Sequence, residues 1–337
     1  MRVAVDAMGG DHAPAVTVEG GVLAAKEYGI EVILVGQQTA LERELSRFSS
    51  VPKGVTLHHA SEVVAMDEPA AATVRKKKDA SINVAVDLVK RKEADAFVSA
   101  GNTGAAVAAA VLSVGLLKGI ERPGIAVAYP TLNGSSVLID IGANIDAKPE
   151  HLLQYAIMGS IYFNYILHHP SPTVGLLNIG EEETKGTEFM KETHKLLEAG
   201  PVNFIGNVEG RDLFNGKVDV IVCGGFVGNV VLKVTESLTE STHVLLRREI
   251  KSGGLVTMLG GLLMRSGLSR MRRRLDSTEY GGAPLLGINS VCIISHGASS
   301  AKAIKNAIRV AGEFVSQRVN EHIQETLEGS QKGRRVG

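Results

Sequence analysis

Short apolar runs recur along the whole chain, each closed by a segment rich in Gly and Asn and followed by a helical pattern. That alternation leaves few architectures open. The closing segments are 6–12 (Asp-Ala-Met-Gly-Gly-Asp-His), 99–104 (Ser-Ala-Gly-Asn-Thr-Gly), 140–144 (Asp-Ile-Gly-Ala-Asn), 178–186 (Asn-Ile-Gly-Glu-Glu-Glu-Thr-Lys-Gly), 224–229 (Gly-Gly-Phe-Val-Gly-Asn) and 295–300 (Ser-His-Gly-Ala-Ser-Ser). A strand that ends in glycines and opens a helix leaves backbone N–H groups free at a positive dipole end, a ready site for an oxyanion. Six such loops predict a crevice built to hold an anion.

Strands are expected at Val3–Asp6, Val32–Val35, Val55–His58, Ala96–Ser99, Ile125–Tyr129, Val137–Ile141, Val174–Ile179, Val202–Gly206, Val218–Cys223 and Val291–Ser295. Several are apolar throughout rather than alternating, as strands covered on both faces are. The alternation with helices predicts an α/β fold, a largely parallel sheet with helices on both faces. Asp79 or Ser81 is expected to start the helix over Ile82–Lys92. Ile304, Ile308, Ala311, Val315, Val319 and Ile323 predict one stripe on a single long C-terminal helix. No internal repeat is visible. The unit is expected to span residues 1–327, with 250–284 as an inserted amphipathic helical hairpin and 328–337 as a disordered basic tail.

Lys+Arg and Asp+Glu each number 36 in 337 residues, so the formal net charge is zero. Trp is absent and aromatics make up 4%. Neither a basic footprint nor a base-stacking platform is present, so no nucleic-acid partner is expected. Cys223 and Cys292 lie inside strand-like runs and read as buried small hydrophobes. Arg2–Asp6 enters a strand at once, with no signal-like start, which gives a cytoplasmic expectation.

The loops carry the candidate chemistry. Asp11 and His12 form an acid–imidazole pair in which Asp11 orients His12 as a proton donor; the competing reading makes Asp11 a helix cap and His12 a surface residue. Ser99, Gly101, Asn102, Thr103 and Gly104 offer close backbone approach and side-chain donors to a phosphate. The loop is neither a Walker A motif nor G-x-G-x-x-G, so a nucleotide is not implied. Asn144 and Asn229 are candidate donors to an oxyanion, and Lys185 a candidate point charge on phosphate. His296, Gly297, Ser299 and Ser300 open the last helix, with Ser299 or Ser300 as its N-cap. No G-x-S-x-G, C-x-x-C or H-E-x-x-H occurs. Direct transfer between two bound substrates fits better than an enzyme-bound covalent intermediate.

Residues 250–284 break the alternation. Leu255, Met258, Leu259, Leu262 and Leu263 form a Gly-punctuated apolar run, followed by Arg265, Arg270, Arg272, Arg273 and Arg274. The run is too short to span a bilayer. It suits a hairpin lying on a membrane surface, or a dimer-interface hairpin with solvated arginines.

Together, the opening Val-Asp-Ala-Met-Gly-Gly-Asp-His-Ala-Pro, Ser99–Ala105, Asp140–Asn144, Asn178–Gly186, Gly206–Gly210, Gly225–Lys233 and Glu279–Gly287 resemble the bacterial phosphate acyltransferases of phospholipid synthesis, in order from Met1 to about Gln324. The chain departs from that pattern at Gly224, where the family usually carries Asp. The resemblance implies a two-lobed fold like phosphotransacetylase and the isocitrate/isopropylmalate dehydrogenases, as a homodimer. It implies long-chain acyl transfer from an acyl-carrier protein thioester to inorganic phosphate, giving acyl phosphate, with no cofactor and no metal. Carrier-protein contacts would compete with lipid head groups for the arginines of 265–274. The implied partners are acyl-carrier protein, phosphate, the membrane surface (as a peripheral protein on its inner face) and a downstream membrane glycerol-3-phosphate acyltransferase. The rival readings are a short-chain acyl-CoA phosphotransacylase, a dehydrogenase on the related fold, and a non-catalytic phosphate- or lipid-binding scaffold.

Overall fold

Alternate residues of one strand feed different cores. In β1 (Arg2–Asp6), Val3 and Val5 join one buried cluster while Ala4 joins another; in β4 (Ala96–Ser99), Ala96 and Val98 face the first and Phe97 the second. This is the packing that continuously apolar strands call for, with helices on both faces. A computed structural model describes residues 1–275 and 281–336, with backbone alone at 255, 272–275 and 330–336.

The remaining strands are β2 (Glu31–Gly36), β3 (Val55–His59), β5 (Gly124–Thr131), β6 (Gly134–Ile139), β7 (Thr173–Leu177), β8 (Asn203–Val208), β9 (Val220–Val222), β10 (Ala283–Leu286) and β11 (Val291–Ile294). They form one eleven-stranded sheet, ordered β3-β2-β1-β4-β11-β10-β5-β6-β9-β7-β8. Strands β3, β2, β1, β4 and β11 are mutually parallel, as are β6, β9, β7 and β8. Between the two sets, β10 pairs antiparallel with both β11 and β5, and β5 antiparallel with β6. The two parallel halves therefore run in opposite directions.

The helices are α1 (Ala15–Tyr28), α2 (Gln38–Leu45), α3 (Ala70–Lys76), α4 (Ser81–Lys90), α5 (Thr103–Ser113), α6 (Pro149–Ile166), α7 (Glu188–Glu198), α8 (Gly225–Ser252), α9 (Gly254–Leu263), α10 (Arg265–Leu275), α11 (Ala301–Ser316) and α12 (Val319–Val336). All ten expected strands are present, with bounds shifted by a few residues. The short β10, with Pro284 in it, was not expected. The single C-terminal helix is instead two, because Arg318 takes φ 50° between α11 and α12 and ends the first. Most of the tail expected to be disordered lies in α12, which has no proline and is rich in good helix formers. Neither Asp79 nor Ser81 caps α4: Ala80 stands at the cap, Ser81 turns to a buried carboxylate and Asp79 accepts from Ser61. Cys223 and Cys292 are free and buried, as expected.

Helix α8 stands apart, with only Gly225 and Gly228 of its 28 residues buried. Val234, Leu238, Val244 and Leu245 are exposed along it, and Met258, Leu259, Leu262 and Leu263 on α9. No helix among the described residues is long and apolar enough to cross a membrane.

Candidate active site

A buried aspartate organises the first set of loops. Asp6, at the end of β1, accepts from Ser81 Oγ at 2.6 Å and from Ser99 Oγ at 2.8 Å. Burial pushes its carboxyl up despite those donors. A Cβ on Gly9 would stand 2.7 Å from the Gly101 nitrogen, so only glycine lets the β1–α1 loop lie on the β4–α5 loop. The Asp11 N–H donates to the Gly297 carbonyl at 2.8 Å, which ties in the β11–α11 loop.

Several of the expected phosphate-binding residues have their side chains engaged within the fold. The Ser99 hydroxyl donates to Asp6 and accepts the Gly101 N–H at 3.1 Å, so both groups are spent. Asn102 caps α5 by accepting the Ala105 N–H at 3.0 Å, and its Nδ2 donates to the Met66 and Glu68 carbonyls. The Thr103 and Gly104 N–H groups and the Thr103 hydroxyl stay open on an exposed first turn, with no partner among the described residues. Ser300 caps α11 through the Ala303 N–H at 3.3 Å, and His296 Nδ1 accepts the Ala298 N–H at 3.1 Å. Ser299 is buried and Gly297 half-buried. Asp11 and His12 are both exposed, and no hydrogen bond joins their side chains. The expected orientation of His12 by Asp11 is therefore not found: the backbone of Asp11 is engaged, not its carboxylate.

A second buried aspartate organises the loops after β6 and β9. Asp140 Oδ1 accepts the N–H groups of Ile125 (3.2 Å), Gly142 (3.1 Å) and Ala143 (2.8 Å), and Oδ2 that of Asn144 (2.8 Å). Burial again raises the carboxyl. Asn144 Nδ2 donates to the Pro123 carbonyl and to the Tyr155 hydroxyl, each at 2.6 Å. Both amide protons are consumed inside the fold, so the expected oxyanion contact from Asn144 has no donor left. Asn229 differs. A Cβ on Gly228 would strike the Asp140 carbonyl, so glycine alone lets the first turn of α8 settle on this loop. That contact sets Asn229 beside Gly142, 3.6–3.8 Å from the place of a Cβ there. The exposed Asn229 amide has no partner among the described residues.

The β7–α7 loop presents Lys185. Asn178 Nδ2 donates to the Lys185 carbonyl at 3.2 Å, and Asn207 Nδ2 to the Glu182 carbonyl at 2.9 Å. Asn207 is itself braced by the buried His194, 3.1 Å away. The Lys185 ammonium is exposed and has no acidic partner among the described residues. Sequence reading missed Asn207 and His194 as supports; the one signal was the Gly206–Gly210 segment.

The six loops thus form sets on strands of opposite direction, and no hydrogen bond among the described residues joins the Asp6 set to the others. No group of three or more His, Cys, Asp or Glu able to hold a metal occurs among the described residues. Arg265, Arg270, Met258, Leu259, Leu262 and Leu263 are exposed on α9 and α10. The side chains of Leu255, Arg272, Arg273 and Arg274 lie outside the described residues.

The family model described as a fatty acid synthesis protein matches residues 1–322. A phosphate acyltransferase of Geobacter sulfurreducens is 52% identical over 97% of this chain and 94% of its own length. One of Desulfitobacterium hafniense is 55% identical over 97% and 98%. Among solved structures, a phosphotransacetylase from Streptococcus pyogenes superposes with a TM-score of 0.64 at 18% identity, covering 94% of each chain, a likeness of fold.

Proposed function

The chain belongs to the fatty acid synthesis protein family and is an acyltransferase, and we propose that it moves a long-chain acyl group from an acyl-carrier protein thioester to inorganic phosphate. The observation that carries the reading is the open first turn of α5, where two backbone N–H groups and the Thr103 hydroxyl face solvent unpaired beside the β11–α11 loop. That turn suits phosphate.

In this mechanism one phosphate oxygen attacks the thioester carbonyl carbon. The tetrahedral oxyanion takes a hydrogen bond from Asn229, and Lys185 balances negative charge. The C–S bond breaks, the carbonyl re-forms as an acyl phosphate, and the thiolate leaves on the carrier arm, taking a proton from His12 or from water. No cofactor is called for. No cysteine takes part: Cys223 and Cys292 are sealed in the sheet, where burial pushes both thiols up.

The exposed Leu and Met residues of α9, beside Arg265 and Arg270, support peripheral attachment to the inner face of the cell membrane. The apolar face of α8 supports a homodimer. An acyl phosphate is labile and amphiphilic, so hand-over to a membrane glycerol-3-phosphate acyltransferase fits a cytoplasmic enzyme held at the bilayer.

The test is phosphate-dependent release of free thiol from palmitoyl-carrier protein, beside palmitoyl-CoA and acetyl-CoA. Release from the carrier substrate only when phosphate is present is the expected result. Release from acetyl-CoA alone moves the protein to short-chain metabolism, and no release from any thioester by folded protein removes the assignment.

A further inference from the structure

The segment between β3 and α4 has no role in the chemistry above, yet it is bound tightly to the loop that holds the open N–H groups. Asn102 Nδ2 donates to the Met66 carbonyl at 2.9 Å and to that of Glu68 at 3.2 Å. A Cβ on Gly104 would stand 2.9 Å from the Ala70 Cβ, so the start of α3 rests directly on the open turn of α5. The other end of α3 is pinned by Asn83, whose Nδ2 donates to the carbonyls of Val74 (2.9 Å) and Lys77 (2.7 Å).

That anchored helix ends at Lys76, within a run of four consecutive cations, Arg75-Lys-Lys-Lys78. Lys77 is spent internally, on the Val63 carbonyl and on Glu68, both at 2.8 Å. Arg75, Lys76 and Lys78 are exposed and have no acidic partner among the described residues. Of the acids around them, Glu68 pairs with Lys77, Asp79 accepts from the hydroxyl and N–H of Ser61, and Asp67 forms no ion pair with them among the described residues. Five residues separate Ala70 from Arg75, about 7.5 Å along a helix. Arg75 and Lys76 therefore stand on a helix whose start rests on the open turn, and Lys78 lies two residues past its end.

We propose that Arg75, Lys76 and Lys78 form the docking surface for the acidic carrier protein that delivers the acyl thioester. The assignment rests on the carrier-thioester reading above. A folded carrier cannot enter the loops, so it must sit outside them while its arm reaches in. A cationic patch fixed to the phosphate-binding turn meets that need, and unlike charges steer and register such encounters. A lipid surface fits the patch less well. Membrane-surface helices pair cations with large apolar residues, and α3 exposes only Ala71 and Ala72 beside its charges, whereas α9 and α10 carry exposed Leu and Met next to their arginines.

The experiment titrates fluorescently labelled holo-carrier protein with the full chain, wild type against the triple variant Arg75→Glu, Lys76→Glu, Lys78→Glu, with Kd read by anisotropy and KM for phosphate measured in parallel. Matched circular dichroism confirms the fold, and the triple Gln variant replaces the Glu variant if the latter does not fold. The expected result is a Kd raised at least about tenfold by charge reversal, less by Gln, with KM for phosphate within about twofold of wild type. A carrier Kd unchanged in the folded variant overturns the proposal. So does an unchanged Kd with a raised KM for phosphate, which gives the patch to the free ion. So too does an unchanged Kd with lost binding to phosphatidylglycerol vesicles, which gives it to lipid. A wild type that binds carrier but releases no thiol sinks the acyltransfer reading and leaves the docking result standing.

Discussion

The Asn144 side-chain amide donates to the Tyr155 hydroxyl at 2.6 Å, joining the loop after β6 to the centre of α6. Tyr155 is fully buried, and its hydroxyl also lies 3.4 Å from the Pro123 carbonyl. The expected outcome of Tyr155→Phe is a loss of stability of about 1–3 kcal/mol, because one Asn144 N–H is left without its partner. Urea denaturation measures it; a midpoint equal to wild type would show that the pair is dispensable.

Asn229 and Lys185 are exposed polar groups that the fold does not consume, unlike Asn144. Asn229→Ala and Lys185→Ala are expected each to lower kcat by roughly 10²–10³ while leaving the unfolding free energy, from urea denaturation, within about 0.5 kcal/mol of wild type. If both serve one transition state, the double variant will lose less than the product of the two effects. Wild-type turnover in either single variant removes that residue from the mechanism.

Gly224 occupies the N-cap of α8 with φ −75° and ψ 148°, ordinary extended backbone, and nothing stands within 4 Å of where a Cβ would be. No side chain caps this helix. Gly224→Asp adds an oxygen that can accept a first-turn N–H and faces the positive end of the helix. A gain of a few tenths to about 1 kcal/mol is expected, read as a higher Tm. A lower Tm would mean that the open space is needed for something else.

Asp6 titrates above its ordinary 3.8 because burial disfavours the charged form. The folded chain therefore holds this proton more firmly than the unfolded chain does. The stabilisation is complete below about pH 4 and is lost as pH rises through the folded value. Asp6→Asn removes that dependence. Stability of the variant relative to wild type is expected to improve from about pH 4 to about pH 7, as measured by urea denaturation at each pH. A difference that stays flat across that range would contradict the assignment.

Strands such as Ala96–Ser99 were legible because four consecutive residues are apolar or small and a Gly-Asn loop stops them. The loops themselves were equally legible, as were Ser300 as a cap and the buried cysteines. What the letters did not carry was which polar groups the fold consumes. Asn144 and Asn229 look alike in sequence; one meets Pro123 and Tyr155 through long-range packing, and the other stands in the first turns of α8 with no partner among the described residues. The sequence offers Ser99 as a ligand for phosphate because Asp6, 93 positions away, is invisible as its acceptor. The break at Arg318 and the strand β10 likewise depend on tertiary context, which overrides local preference.

The sheet order has a consequence for how the protein is made. Strands β1 to β4 emerge first, yet the free edge of β4 is filled by β11, synthesised about 190 residues later. Until then the nascent chain presents an unpaired, largely apolar strand edge, the kind of template on which chains stick to one another. Emergence of β10 and β11 from the ribosome is thus the event that closes the middle of the molecule, and a truncated product ending before β11 is a candidate for aggregation rather than for partial function.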